Sequence, residues 1–294
     1  MNGVIIIDKP AGFTSHDVVN RVRRILGQRS VGHLGTLDPS ATGVLPIVLG
    51  NLTRLAQFYA HSEKTYEGAI RFGFATDTYD SNGEPTTSPQ SVQLDAADVR
   101  ALAADFHGTI EQIPPPFSAK KVAGVPAYKL ARKKQPVELK PVTIEIKEFE
   151  ILEVAADQAT FRARVASGTY IRSVAHEMGQ KLGCGAHLAS LRRTSVAEFT
   201  IADAHTLAAV EAARQQGIAE SLLIHPRKLV PQLPSVTATE ENAALIRSGR
   251  AVNLPEMSRA PQVKVFFGQT DLIAIATRIA GTLFHPRIVF TGEK

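Results

Sequence analysis

The sequence predicts a mixed α/β domain that is followed by a smaller, β-rich domain. Two hydrophobic periodicities alternate along most of the chain, one typical of strands and one typical of amphipathic helices. The composition then shifts at Pro231-Gln232-Leu233-Pro234, which we interpret as a linker. Beyond it, one short helix precedes several short β-like runs. We therefore expect a first domain at residues 1–231 and a second at residues 232–294.

The individual elements follow from the spacing of apolar residues. Strands are expected at residues 4–7, 44–49, 66–74, 142–149, 160–166, 263–267, 272–277 and 287–290. Helices are expected at residues 18–26, 51–59, 99–106, 170–182, 206–216 and 240–248. Thr14 or Ser15 can cap the first helix. Its arginines, Arg21, Arg23 and Arg24, are interpreted as a solvated face, and phosphate contact is the less favoured alternative.

Composition limits the classes of protein to which the chain can belong. With 44% hydrophobic and 21% charged residues, the composition is that of an ordinary globular protein. A net charge of +5 and a pI of about 9.3 favour an anionic partner such as nucleic acid. Cys184 is the only cysteine, which excludes an intrachain disulfide and is typical of a reducing cytoplasm. We expect neither a signal peptide nor a membrane-spanning segment.

The most informative stretch is residues 32–45, with the sequence GHLGTLDPSATGVL. Pro39 biases Asp38 towards an extended or turn backbone, and Gly35 and Gly43 can take positive φ or admit a close neighbour. Because an apolar run follows, we expect Asp38 on a constrained loop at the edge of a sheet, where sites are often built. Considered alone, the aspartate of an Asp-Pro turn more often serves a local role, in which its carboxylate hydrogen-bonds to the neighbouring backbone.

This stretch resembles the catalytic motif G-H-x-G-x-L-D-P-x-A-x-G-V-L of the bacterial tRNA pseudouridine-55 synthases of the TruB type. Leu34 and Ser40 stand where the family often has threonine and leucine, but both flank the acid without replacing it. Further family motifs match in order as far as about Thr200. They are Asp8-Lys9-Pro10-Ala11-Gly12, Lys64-Thr65-Tyr66, Ser118-Ala119-Lys120-Lys121, Gly168-Thr169-Tyr170-Ile171-Arg172-Ser173 and Leu188-Ala189-Ser190-Leu191-Arg192-Arg193.

The resemblance implies the pseudouridine-synthase fold, in which a central sheet is largely antiparallel. It also implies an RNA-binding thumb inserted at about residues 109–141 and a small, RNA-binding PUA-like domain at residues 232–294. In the thumb region, a proline-stiffened segment at 113–117 precedes a basic run with one aromatic residue, consisting of Lys120, Lys121, Tyr128, Lys129, Arg132, Lys133 and Lys134. A charge run by itself is usually a solvated face.

The same resemblance implies conversion of uridine 55 in the T-loop of tRNA to pseudouridine, with neither a cofactor nor a metal. Asp38 is then the essential aspartate, Arg172 its charge partner and Tyr66 the tyrosine beside the target base. Whether Asp38 attacks the base, attacks the sugar or removes a sugar proton stays open. As isolated residues, Tyr66 would be interpreted as a core aromatic and Arg172 as a helix-surface residue.

The resemblance further implies several substrate contacts. Tyr170 would contact the base or ribose, His33 would be associated with the flipped nucleotide, and Leu191 would line the uracil pocket. Lys9 would either support the active-site loop or contact RNA. Lys120 and Lys121 would grip the RNA from the thumb. Considered alone, His33 is more often a local hydrogen-bonding residue and Leu191 a core residue.

Other classes of function are weighed against this interpretation. A zinc deaminase, which also acts on a flipped base, needs an H-x-E motif together with a C-x-x-C motif, and the single cysteine of this chain cannot supply the second. Cys184-Gly185-Ala186-His187 alone is weak evidence for zinc, and the sequence has no motif typical of nucleotide binding. A non-catalytic RNA-binding or RNA-folding protein and a guide-RNA-dependent synthase remain as alternatives. We expect a monomer that acts on tRNA in the cytoplasm without a guide RNA, a small-molecule cofactor or a membrane.

Overall fold

The computed structural model describes residues 1–118, 120–122, 124–133, 135 and 137–290. Ala119 of the Ser-Ala-Lys-Lys motif and Lys134 of the basic run lie outside the described residues. Ala123, Pro136 and residues 291–294 also lie outside them.

Helices and strands alternate as the periodicity predicts. The helices are α1 (Ser15–Leu26), α2 (Ala56–Tyr59), α3 (Ala96–Ala104), α4 (Ala127–Ala131), α5 (Ile171–Lys181), α6 (Leu207–Gln215) and α7 (Glu240–Arg247). The strands are β1 (Gly3–Lys9), β2 (Val31–His33), β3 (Thr42–Leu49), β4 (Lys64–Phe72), β5 (Gly108–Gln112), β6 (Lys121–Val122), β7 (Val125–Pro126), β8 (Val142–Ala155), β9 (Gln158–Val165), β10 (Ala186–Val196), β11 (Phe199–Thr200), β12 (Ala204–His205), β13 (Ser235–Ala238), β14 (Val252–Asn253), β15 (Gln262–Phe267), β16 (Asp271–Ala280) and β17 (Leu283–Val289). The helix expected at residues 51–59 is a 3-10 turn, Gly50–Leu55, that continues into α2.

Local sequence signals set the ends of α1. Thr14 is its N-cap: the Thr14 hydroxyl accepts a hydrogen bond from the Asp17 N–H at 3.1 Å, and the Asp17 carboxylate accepts one from the Thr14 N–H at 2.9 Å. This reciprocal capping box confirms the expected helix start. Gly27 ends the helix with φ 64°, a left-handed conformation that favours glycine.

A ten-stranded sheet forms the body of the first domain, in the order β12-β1-β3-β10-β4-β9-β8-β5, with β2 also paired to β3 and β11 to β10. Its pairs are antiparallel except β1 with β12 and β3 with β10. This arrangement confirms the largely antiparallel sheet. Strand β10 lies at its centre, although the sequence analysis predicted no strand at 186–196. Charged and polar residues interrupt its apolar residues, so the segment shows neither a continuous apolar run nor a regular alternation of apolar and polar residues.

Both faces of the central strands are buried. On β1, Ile5 and Ile7 belong to the apolar cluster beneath α1, α5 and α6, while Val4 and Ile6 belong to a second cluster on the opposite face. The apolar side chains of β3 are distributed between the same two clusters. Strands buried on both faces carry continuous apolar runs, which is why periodicity identified these two strands readily.

The C-terminal domain is β-rich, as predicted. Its five-stranded sheet has the order β13-β15-β16-β17-β14 and packs with α7 around its own apolar cluster. Phe266, Leu272 and Ile275 from this sheet complete the second cluster, against Val4 and Ile6 of β1. The two domains therefore share a continuous apolar interface. Leu229 and Val230, just before the predicted linker, are fully buried in it.

The segment between β5 and β8 contains the proline-stiffened stretch, the small β6–β7 hairpin and α4. Backbone bonds from Ala127 to Lys120 and from Tyr128 to Ser118 fold α4 back onto the entrance of the hairpin. The Lys120 and Lys121 side chains are exposed.

Within the described residues, no helix combines the length and apolar character required to cross a bilayer.

Candidate active site

A cavity of about 510 Å³ opens between the β2–β3 loop, the ends of β4, β9 and β10, and the start of α5. Its lining brings together six of the predicted site residues from distant parts of the chain: His33, Asp38, Tyr66, Tyr170, Arg172 and Leu191. Lys9, Lys120 and Lys121 are not in this lining.

The loop that carries Asp38 is held at several points. The Leu37 N–H donates to the Ser15 hydroxyl at 2.8 Å, and that hydroxyl donates to the Leu37 carbonyl at 3.1 Å. The Gly12 N–H donates to the Pro39 carbonyl at 2.9 Å. Leu34 is buried in the second apolar cluster, so the family departure at this position fits the packing. Asp38 thus lies on a constrained loop at the edge of the sheet, where the sequence placed it.

Arg172 bonds to Asp38 across the base of the cavity. Its Nε lies 2.9 Å from Oδ2 of Asp38, and the Arg172 side chain is only 7% exposed while that of Asp38 is 40% exposed. The remaining guanidinium nitrogens donate to the carbonyls of Thr78 at 3.1 Å and Phe117 at 3.2 Å. The pair therefore presents one accessible carboxylate against a cation that is fixed from three sides.

Asp80 is a second carboxylate at the same guanidinium. Its Oδ2 lies 3.7 Å from Nη1 of Arg172, and its Oδ1 accepts hydrogen bonds from the Thr78 hydroxyl at 2.7 Å and the Asn82 N–H at 3.0 Å. Only 8% of its side chain is exposed. Asp80 was not predicted as a site residue from the sequence. The Asp-Ser-Asn-Gly run was a turn signal, and nothing local to that turn indicates a distant arginine partner.

Burial raises the pKa of Asp38 above its ordinary value. The positive charge of Arg172 opposes this shift, and the nearby carboxylate of Asp80 adds to it. Carboxylates whose pKa is perturbed by burial and by a specific charge partner, in a cleft, are typical of functional sites. The arrangement combines a reactive carboxylate with a fixed counter-charge.

Two tyrosines contribute aromatic surface to the cavity. Tyr66 lies on β4 opposite Arg193 of β10 and is 8% exposed. Tyr170 is the residue before α5; its backbone N–H donates to Gln112 at 2.8 Å, and its carbonyl accepts from the Gln112 amide at 3.1 Å. Burial raises the pKa of the Tyr170 hydroxyl. Gln112, which the sequence analysis did not single out, thus ties the edge strand β5 to the start of α5.

Arg193 is fully buried and holds the other side of the Asp38 loop. Its guanidinium donates to the carbonyls of Val44 at 2.8 Å, Thr36 at 3.1 Å and Gly35 at 3.0 Å. Gly43 has φ 99°, and a Cβ there would lie 2.2 Å from the Arg193 carbonyl, so only glycine permits this approach. In the sequence, Arg193 belongs to the Leu188–Arg193 motif, but no role was predicted for it.

The remaining predicted residues divide between the wall of the cavity and its support. His33 accepts a hydrogen bond at Nδ1 from the Gly35 N–H at 3.3 Å, and burial together with Arg193 lowers its pKa. Lys9 is fully buried and donates to the carbonyls of Pro10 at 2.9 Å and Pro39 at 3.2 Å. Of the two alternatives for Lys9, support of the Asp38 loop agrees with this geometry. Burial outweighs the attraction of Asp38 and lowers the pKa of Lys9 to about 8.

Within the described ranges, no group of three or more histidine, cysteine, aspartate and glutamate side chains is placed to hold a metal ion. His187 of the C-x-x-H sequence packs against the Phe74 ring, with centroids 4.6 Å apart.

Comparisons with known proteins agree with this fold. The family model described as TruB family pseudouridylate synthase (N terminal domain) matches residues 23–171, and the tRNA pseudouridylate synthase B C-terminal domain model matches residues 172–230. A protein named tRNA pseudouridine synthase B from Solibacter usitatus is 47% identical over 98% of this chain and 100% of its own length. One of the same name from Opitutus terrae is 47% identical over 72% of this chain and 88% of its own.

Among solved structures, an H/ACA RNP bound to a substrate RNA containing 2'-deoxyuridine contains a chain with a TM-score of 0.72 and 25% identity, covering 99% of this chain and 85% of that one. The fold is therefore that of the pseudouridine synthases, a class of RNA-modifying isomerases. Within this class, the chain belongs to the TruB family.

Proposed function

We propose that this protein isomerises uridine 55 in the T-loop of tRNA to pseudouridine, with Asp38 as its essential aspartate. The observation that carries the proposal is the Asp38–Arg172 pair at 2.9 Å in a cavity that is also lined by Tyr66. The names of the curated relatives, tRNA pseudouridine synthase B, support the choice of RNA. The reaction breaks the bond from N1 to C1′ of the ribose, joins C5 to C1′ and transfers a proton from C5 to solvent while N1 gains one.

Asp38 acts at the junction of sugar and base. A carboxylate can serve there as a nucleophile or as a stabiliser of developing positive charge. Arg172 keeps Asp38 oriented and favours its ionised form, because the guanidinium remains charged when it is desolvated. The exposed fraction of Asp38, 40% of its side chain, faces the space in which the nucleotide would bind.

Tyr66 and Leu191 form the walls that would hold the base. Uracil inside a folded T-loop must leave its stack before it can reach a carboxylate inside the cavity. A tyrosine ring can stack on the flipped base, and its phenol is a candidate to assist removal of the C5 proton. Tyr170 and His33 line the same cavity and would contact the nucleotide from either side of Asp38.

The thumb and the C-terminal domain would supply RNA affinity outside the cavity. Lys120, Lys121 and Lys133 are exposed on the β6–β7 and α4 segment, which suits contact with the phosphate backbone. Neutralised phosphates release counterions, so affinity should fall as salt rises. Reversing these three charges is expected to weaken tRNA binding and to flatten its salt dependence. An unchanged slope of log affinity against log salt would identify the thumb as a solvated face.

A direct test is mass-spectrometric mapping of pseudouridine in an unmodified tRNA transcript after incubation with the pure protein. We expect conversion at position 55 with chelator present and without a guide RNA, by a monomeric protein that acts in the cytoplasm. A transcript with cytidine at position 55 is the matched control. Conversion that requires an added guide or metal would contradict stand-alone activity, and binding without conversion would favour a non-catalytic RNA-folding protein.

A further inference from the structure

A stacked pair of rings lies one helical turn from Arg172, outside the cavity lining. The His176 imidazole on α5 and the Tyr79 ring have centroids 3.8 Å apart and planes within 9° of parallel. Both residues are half-buried. The proposed reaction uses neither residue, and no quoted motif assigns a role to either.

Tyr79 occupies the centre of the turn that holds Arg172. The residue before it, Thr78, offers its carbonyl to Nη1 of Arg172 at 3.1 Å, and the residue after it, Asp80, places its carboxylate 3.7 Å from the same nitrogen. A shift of the Tyr79 backbone would therefore displace both contacts together. Since Arg172 in turn holds Asp38 at 2.9 Å, the turn lies two contacts away from the reactive carboxylate.

The Tyr79 backbone is strained. Its φ of 65° lies in the left-handed region, which a bulky aromatic residue rarely adopts. Such conformations persist only where the surroundings hold them. Strand β10 holds the backbone, because the Leu188 N–H donates to the Tyr79 carbonyl at 2.9 Å and the Ser81 N–H donates to the Leu188 carbonyl at 3.0 Å. The ring is held by the stack on His176.

The imidazole is suited to this packing role. Its Nδ1 is buried and has no hydrogen-bond partner. Burial lowers the pKa of His176, so the ring is neutral near pH 7 and adds no second positive charge beside Arg172.

We propose that the Tyr79–His176 stack positions Asp80 and Thr78 against Arg172, and thereby orients Asp38. Both stacked residues are positioning residues, since neither lines the cavity. The kinetic part of the inference rests on the proposed pseudouridine synthesis, and the structural part does not.

The kinetic test compares variants that keep or remove each ring. His176→Phe and Tyr79→Phe keep an aromatic face, His176→Ala removes it, and Tyr79→Gly removes it while tolerating the positive φ. With saturating tRNA in single turnover, we expect His176→Ala and Tyr79→Gly to slow conversion roughly tenfold, with tRNA affinity unchanged and both proteins still folded at the assay temperature. The two phenylalanine variants should stay within about threefold of the wild type.

The double variant His176→Ala/Tyr79→Gly should be no slower than either single variant, because both remove the same stack. Additive losses, or a His176→Phe protein as slow as His176→Ala, would overturn the proposal. A crystal structure of His176→Ala supplies a readout that does not depend on activity. We expect residues 78–80 to have shifted and the contact between Asp80 and Arg172 to have lengthened; an unchanged turn would overturn the proposal even if the wild-type protein made no pseudouridine.

Discussion

Arg172 and Arg193 are two buried arginines of one cavity, and their partners differ. Arg172 lies between the carboxylates of Asp38 and Asp80, with Asp38 open to the cavity. Arg193 is fully buried and bonds to backbone carbonyls, and no carboxylate within the described part of the chain forms an ion pair with it. One arginine sets the charge of the reactive group, whereas the other sets the shape of the loop that carries it.

The difference has an energetic reason. A buried cation is costly unless its hydrogen bonds are satisfied and its charge is compensated. At Arg193, carbonyl dipoles from Gly35, Thr36 and Val44 provide that compensation. At Arg172, carboxylates provide that compensation, and the pKa of Asp38 responds: burial and the Asp80 carboxylate raise it, while the charge of Arg172 lowers it. We therefore expect substitutions at the Asp38–Arg172 pair to affect mainly catalysis, and a substitution of Arg193 to affect mainly stability.

The largest effect is expected for Asp38→Asn. Asparagine keeps the size of the side chain and an acceptor for Arg172 but removes the negative charge and most of the nucleophilicity. Single-turnover conversion should fall by several orders of magnitude, as when a catalytic nucleophile is removed. The affinity for tRNA should survive, because phosphate contacts lie elsewhere. A variant that converts tRNA at a comparable rate would end the assignment of Asp38, and equal loss of binding and turnover would make it a loop-forming residue.

Arg172→Lys tests whether catalysis requires the planar guanidinium group with its several N–H donors, or only a positive charge. An ammonium cannot donate simultaneously to Asp38, Thr78 and Phe117 in the observed directions. We expect turnover to fall roughly 100-fold, equivalent to about 2.7 kcal/mol of transition-state stabilisation, with tRNA affinity nearly unchanged. Single-turnover rates and filter binding measure the two quantities. Full activity in the lysine variant would show that charge alone suffices.

Arg193→Met is expected to act on stability first. It leaves the buried carbonyl of Val44 and the partly buried carbonyls of Gly35 and Thr36 without their donor, which should cost about 2–4 kcal/mol of unfolding free energy. Arg192→Met is the matched control, because the neighbouring Arg192 side chain is 41% exposed and pairs with Asp8 at 2.8 Å. That exposed pair should contribute no more than about 1 kcal/mol. Denaturant titration of both variants measures the contrast, and equal losses would contradict the distinction drawn between the two arginines.

The smallest effect concerns the acid limb of the pH–rate profile. Catalysis needs ionised Asp38, so the rate should fall as pH drops through its raised pKa. Asp80→Asn removes a negative neighbour and therefore lowers the pKa of Asp38, which moves the acid limb to lower pH by up to about one unit. Asp105→Asn, at an exposed residue of another ion pair, is the control and should leave the limb in place. A shift to higher pH would reverse the assigned influence of Asp80.

The amino-acid sequence was sufficient to predict the class of fold, the β-rich C-terminal domain and the segment that carries Asp38. These depend on local signals: continuous apolar runs in β1 and β3, capping at Thr14, and a proline and glycines around one carboxylate. Because backbone preferences act over a few residues, such features can be predicted before any long-range contact is known. The family motifs added candidate site residues, and the cavity brings six of them together.

The charged groups that come into contact, by contrast, could not be predicted without the three-dimensional fold. Asp80 lies 42 positions from Asp38 and 92 from Arg172 in the chain, and its turn sequence carries no sign of either partner. Strand β10 was missed because its charged side chains are accommodated by contacts that no local pattern encodes, including those of Arg193 with the Asp38 loop. The apolar interface shared by the two domains was not predicted either. The apolar run of a strand buried on both faces indicates burial but does not identify the elements that pack on each face. Electrostatic pairing and packing depend on distance in space, which periodicity along the chain does not report.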